Sequence, residues 1–461
     1  MSDAAADRRG DTWFGHPKGL LFLSFTEAWE RFSFYGMRGL LVLYMVQELL
    51  LPGRIEKIAG MAGYRAAVES VFGPLSTTAF ASQTFGLYAG FVYFTPLFGG
   101  IVADRWLGAR KTVLIGIALM TAGHLAMSFD ASFLLALLLL VLGSGCLKGN
   151  VAAQVGHLYP RDDESRRTRG FTVFSTGINV GAMLGPLLCG LLAQVYGWHF
   201  GFGLAAVMML LAGAVYIAGW RHFADDKPLR RNATTPAMQS ADWRMLGLVF
   251  VVVALNLFWI LPYDQSANIG MLWVAGSVDL ATPLGNVPPA WFNAEDPLAS
   301  VLIAPVLVAL WSWQARRGTE PHDTGKMAQG SVVMALSMLA LAAGAWQTGV
   351  SGKAAIVWPA IAYFLSGVAF MFSWPTILAL VSRRAPPGVN AMAVAAAYLA
   401  LFVSGIVVGW LGRFYEQMPH WQFWLLHAAM CLAGAVLLTI LGPMLRRRMD
   451  ALDAQPSSAP G

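Results

Sequence analysis

Twelve apolar runs, at about 19–49, 77–103, 111–129, 131–157, 171–196, 200–220, 245–274, 296–315, 329–349, 354–382, 390–412 and 421–445, follow one another along the 461 residues. Each is long enough for a helix to cross a hydrocarbon layer about 30 Å thick. Inside lipid the backbone must satisfy its own hydrogen bonds, and runs of this length do so as α-helices. The reading is therefore an all-α integral membrane protein with twelve transmembrane helices. A chain that is 57% hydrophobic and only 12% charged is no soluble globular protein, since those carry about 25% charged residues. The first run has no small-residue cleavage site behind it, so it is read as a retained helix and not a signal peptide.

Lysine and arginine counts on alternate sides of these spans support the number. With both termini cytoplasmic, 23 of the 31 basic residues fall on the cytoplasmic side and five outside: Arg54, Lys57, Arg65, Lys353 and Arg413. Positive charge collects on cytoplasmic loops, and a miscounted helix would scramble the segregation. The expected location is the cell (inner) membrane. The net charge of +6 is topogenic and needs no nucleic acid. Arg31, Arg38 and Lys148 remain within spans.

The longest cytoplasmic connection, 221–244, is polar and contains proline. It divides the chain into a six-helix bundle over 1–220 and another over 245–445, followed by a cytoplasmic tail, 446–461. Ahead of the third span lies Gly100-Ile-Val-Ala-Asp104-Arg105-Trp-Leu-Gly108-Ala-Arg110-Lys111, which resembles the loop signature of the major facilitator superfamily. The resemblance implies two six-helix bundles, with substrate handled near the midplane. Asp104 can pair with a basic residue or a helix N-terminus, and Asp104 and Arg105 are read as a gating latch. Cys146, Cys189 and Cys431 lie within spans, without disulfide or metal spacing.

The first span holds a costly cluster: Glu27-Ala-Trp-Glu30-Arg31-Phe-Ser-Phe-Tyr35-Gly-Met-Arg38. A charge near the bilayer centre costs about 3 kcal/mol on insertion scales, so such residues must be paired and used. Glu27, Arg31, Tyr35 and Arg38 recur at helical spacing on one stripe, and Glu30 lies about 60° to its side, where it can brace Arg31. The alternative is a static ion network joining two helices.

This motif, with Phe34 in place of a tyrosine, resembles that of the proton-dependent oligopeptide transporters. So do Phe91-Val-Tyr93-Phe-Thr-Pro-Leu-Phe-Gly-Gly, Gly170-Phe-Thr-Val-Phe-Ser-Thr-Gly-Ile-Asn179-Val-Gly and Trp291-Phe-Asn-Ala-Glu-Asp296-Pro297-Leu. The resemblance implies symport of di- and tripeptides with protons by alternating access, driven by the proton gradient without a cofactor, by a protein expected to be monomeric. It implies that Glu27, Glu30, Arg31, Lys148 and Asp264 couple protons. Arg38 and Lys148 would meet the peptide carboxylate, and Tyr35, Tyr93 and Asn179 its amide. Phe258-Trp259-Ile-Leu-Pro-Tyr-Asp264-Gln265 resembles the family's span-seven segment, with aspartate for glutamate and one residue more; Asp264 and Arg38 are expected to gate.

One departure matters. Family members carry a glutamate for the amino group five residues before a proline in span ten, where this chain has Phe370 in Gly367-Val-Ala-Phe-Met-Phe-Ser-Trp-Pro375. Asp296, where the family generally has asparagine, is a candidate to have taken over that carboxylate. Phe370, Phe372, Trp374 and Tyr398 would make the wall more aromatic and favour bulky apolar side chains. The alternative is a non-peptide anionic or amphiphilic solute on the same fold. An enzyme is not expected: the histidines are scattered, and no nucleophile with a base or metal motif is present.

Overall fold

The computed structural model describes residues 12–160, 163–224, 240–385 and 390–453. The helices are α1 (Lys18–Tyr44), α2 (Met61–Phe72), α3 (Thr77–Phe94), α4 (Pro96–Val102), α5 (Ala109–Ala126), α6 (Phe133–Leu147), α7 (Asn150–His157), α8 (Glu164–Tyr196) and α9 (Trp198–Gly219). They continue as α10 (Ser240–Leu255), α11 (Leu257–Gln265), α12 (Met271–Ser277), α13 (Phe292–Arg316), α14 (Asp323–Ser351), α15 (Val357–Arg384), α16 (Asn390–Leu411) and α17 (His420–Asp453). Two-residue hairpins at Thr12–Pro17 and Ala281–Asn286 are the only paired strands among the described residues.

Among the described residues, ten helical stretches are long and apolar enough to cross a membrane by length and composition, and the protein is multi-pass. The two expected spans outside that count are α1, which carries the charge cluster, and α5, which opens with Arg110 and Lys111 and holds His124 near its end. Span four is discontinuous. Lys148 leaves the helix (φ −58°, ψ 132°), Gly149 takes φ +85°, and α7 starts at Asn150. Glycine adopts that left-handed conformation without a Cβ penalty. The Asn150 amide patches the break by donating to the carbonyls of Cys146 (2.9 Å) and Gly99 (3.3 Å).

The described residues form two compact units. One contains residues up to 77, 91–224 and 288–294; the other contains 78–90, 240–287 and 295–453. The compact units follow the linear division at 221–244 except for two segments, 78–90 in the second unit and 288–294 in the first. Of that linker, 225–239 lies outside the described residues, and α10 already begins at Ser240. The expected tail begins as helix, because α17 runs on to Asp453.

In the first unit α8 lies along α1, with Gly177, Gly181 and Gly185 facing the carbonyls of Ser24, Ala28 and Phe32. Small residues every fourth position let two helix backbones approach closely. A Cβ at Gly181 would overlap the Ala28 carbonyl. Gly181→Leu is expected to destabilise the fold by about 3 kcal/mol, read as a lower melting temperature and loss of monodisperse protein in detergent; an unchanged melting temperature would refute this packing. In the second unit α14 packs along α15 and α17, and residues 78–90 meet α16 through Gly86, Gly90, Gly405 and Gly409.

Candidate functional site

In the first unit α1 presents its charges inward. Glu27, Glu30, Arg31 and Arg38 are all buried, Glu30 completely. Arg31 Nε donates to Glu27 Oε1 at 2.9 Å, the expected pair one turn apart. The same nitrogen is 2.6 Å from Glu30 Oε2. That contact is ionic only, because neither oxygen of Glu30 has a hydrogen-bond partner.

The break in span four brings Lys148 to this cluster. Its ammonium lies 4.3 Å from the ring centres of both Phe34 and Tyr93, and its electrostatic neighbours are Glu27, Glu30, Arg31 and Arg38. Nζ is buried and has no hydrogen-bond acceptor among the described residues. Cation–π contacts offset part of the desolvation cost, but an ammonium carries three N–H donors. Phe34, the departure from the family motif, therefore acts as one of two aromatic faces under the lysine. Tyr35 packs edge-on against Phe34 at 5.1 Å. Asn179 is half-buried on α8 and makes no hydrogen bond among the described residues.

The loop motif behaves differently from expectation. Residues Ala103–Leu107 form a π-helical turn ending at Gly108 (φ +80°), which turns Asp104 and Arg105 outward. Both are exposed, and neither makes an ion pair among the described residues. Arg110 instead does the joining: it donates to the carbonyls of Phe223 and Ala224 (2.5 Å to the latter) and stacks over Trp220 at 5.7 Å.

In the second unit Asp264 is buried on α11, and Ser404 Oγ of α16 donates to its Oδ2 at 2.7 Å. The chain then winds through a π-helical turn, Ser266–Gly270, where Asn268 donates to Ser82 Oγ at 2.7 Å. Asp296 lies in the second turn of α13 and accepts a hydrogen bond from the Tyr263 hydroxyl. The Tyr263 ring stacks on Phe370 at 5.7 Å with 29° between planes. Gly367 leaves no room for a Cβ against the Asp296 backbone carbonyl, so α13 and α15 touch at the backbone of this residue. Trp374, one turn beyond Phe370, meets Tyr398 at 5.5 Å. Phe372 does not join them. Two residues from Phe370 is about 200° around a helix, and its ring faces Trp311 instead.

Chain-wide comparison places this arrangement in a known class. The model of the POT family (PTR2) matches residues 110–241 and 237–422, and the chain belongs to that family of transporters. It is 28% identical to a di-/tripeptide transporter of Lactococcus lactis subsp. cremoris, over 95% of this chain and 98% of the relative. It is 26% identical to a peptide transporter of Yersinia enterocolitica, over 97% and 98% respectively. Among solved structures, a mutant peptide transporter POT in complex with alafosfalin superposes with TM-score 0.81 and 26% identity, over 95% of this chain and 97% of that one.

Proposed function

We propose that this protein is a proton-coupled symporter that imports di- and tripeptides by alternating access, using the proton gradient and no cofactor. In this reading it is a monomer crossing the cell membrane twelve times, α1 and α5 included, with both termini cytoplasmic.

The observation that carries the reading is Lys148, an ammonium buried beside the acid–base cluster with no acceptor for its protons among the described residues. With Glu27 and Glu30 ionised, the cluster with Arg31, Arg38 and Lys148 has one positive charge in surplus. A carboxylate brings it to neutrality, and a buried unbalanced charge is expensive. Protonating a glutamate enlarges the surplus and strengthens the demand for an anion. Proton and carboxylate binding therefore favour each other, which is the reciprocity that coupling needs.

Uptake of labelled dialanine into proteoliposomes tests this. Accumulation under an inward proton gradient, abolished by a protonophore, is expected. No gradient-driven accumulation of dialanine or trialanine would sink it. A second reading, transport of an anionic or amphiphilic solute without an amine, is favoured by the absence of any acid from 367–375 of α15. Under that reading N-acetyl-dialanine would compete as well as dialanine; under the first it competes poorly.

A further inference from the structure

A cleft of about 450 Å³ opens in the second unit where α13 ends, α14 begins, α15 ends and α17 extends past it. Four cations from three helices line it, Lys326, Arg383, Arg384 and Arg446, against two carboxylates, Glu320 and Asp323. Within the lining itself cations exceed carboxylates by two, while Asp450 and Asp453, just outside it, pair with Arg384. The wall is also two-tiered. Arg384 is clamped, with Nη2 2.5 Å from Asp450 and Nη1 paired with Asp453, and its side chain is only 14% exposed. Lys326 pairs with Glu320 at 2.6 Å.

Arg383 and Arg446 are the open tier. Their side chains are 58% and 42% exposed. Arg383 pairs with Asp323 through one Nη, and the one acid near Arg446, Asp450, stays 3.4 Å from its Nε. Exposed pairs of this kind contribute little, and a guanidinium has five donors, so both forks can turn to an incoming oxyanion.

The surroundings say which oxyanion. Lys326 sits over the Trp311 ring and Arg317 over Trp313, each at 4.2 Å. Tryptophan with basic residues marks the level of lipid head groups. The span containing α13, which supplies both tryptophans, is only 17% buried in the protein, the face of a helix that meets lipid. A phosphate arriving here comes attached to acyl chains. We propose that this cleft binds the phosphate of an anionic phospholipid head group, gripped by Arg383 and Arg446 against the wall of Arg384 and Lys326. Basic pockets among membrane helices on the cytoplasmic side suit such lipids.

Native mass spectrometry of the whole protein, titrated with phosphatidylglycerol or phosphatidylcholine, tests the site. Each cation near an anionic lipid is worth about five-fold in binding, so Arg383→Gln with Arg446→Gln should weaken phosphatidylglycerol binding about twenty-five-fold. Arg447→Gln with Arg448→Gln removes the same charge from neighbouring positions outside the cleft and should leave binding within about two-fold. Equal losses in the two double variants would mean diffuse attraction and overturn the site. Displacement of bound phosphatidylglycerol by millimolar inorganic phosphate, with matching protection against heat, would overturn the lipid as its source. If the double variant does not fold, Arg446→Gln alone carries the test and should lose about five-fold.

Discussion

Lys148→Ala is expected to abolish gradient-driven uptake of dialanine, by about a hundred-fold or more, in protein that still folds. A buried charge network that loses one member changes by about 3–5 kcal/mol, and about 1.4 kcal/mol is a factor of ten in an equilibrium constant. Here the loss falls on function more than on the fold. Without Lys148 the cluster still holds Glu27 and Glu30 against Arg31 and Arg38, and the 2.9 Å bond from Arg31 to Glu27 stays. Phe34 and Tyr93 lose a cation from their faces, a loss of about 2 kcal/mol for a desolvated contact. What disappears is the surplus positive charge and an ammonium that is buried without an acceptor among the described residues. The readouts are uptake with and without a proton gradient, beside the melting temperature. Wild-type accumulation by the variant would dispose of the role given to Lys148; a collapsed melting temperature would recast it as structural.

The sequence made the helices and the charge cluster legible because lipid leaves few alternatives. A long apolar run must be helical, and an acid beside an arginine within it must be paired. The Glu27–Arg31 pair follows from spacing alone. What spacing could not reveal is which neutral side chains from other elements meet Asp264 and Asn268. Ser404, about 140 residues from Asp264, and Ser82, about 186 from Asn268, are ordinary hydroxyls until folding brings them there. The loop motif pointed to Asp104, but a π-helical turn rotated it outward and left Arg110 to make the contacts. Gly149 directly after Lys148 was a readable signal for the break in span four, since glycine alone tolerates that backbone at no cost. The transfer of residues 78–90 and 288–294 to the opposite compact units leaves no mark in composition at all.

Phe370 shows how far a departure from family pattern can be interpreted. An aromatic residue in place of the acid that the family resemblance implies leaves span ten without a carboxylate, yet its ring stacks on Tyr263, and the hydroxyl of Tyr263 donates to Asp296. Phe370 and Asp296 thus belong to one set of contacts through Tyr263. Gly367 presses α15 against the Asp296 backbone and holds that acid at the level of Phe370.

Asp296→Asn is therefore expected to reduce dialanine uptake about fifty-fold or more while leaving the fold intact. Asparagine keeps the size of the side chain and an oxygen to accept from Tyr263, so the stacked pair with Phe370 can persist. The negative charge is lost, and an ammonium removed from water without a counter-ion loses several kcal/mol. N-acetyl-dialanine has no ammonium to lose, so its weak uptake should be the same in both proteins, and the preference for the free peptide should vanish. Glu295 is the rival acid, half-buried one residue earlier and about 100° around the helix. Glu295→Gln should retain most uptake. If Glu295→Gln abolishes uptake and Asp296→Asn does not, the amino group belongs to Glu295. If neither changes the discrimination against the acetylated peptide, the amine is not read by α13, and the aromatic face of α15 supports the solute without an amine instead.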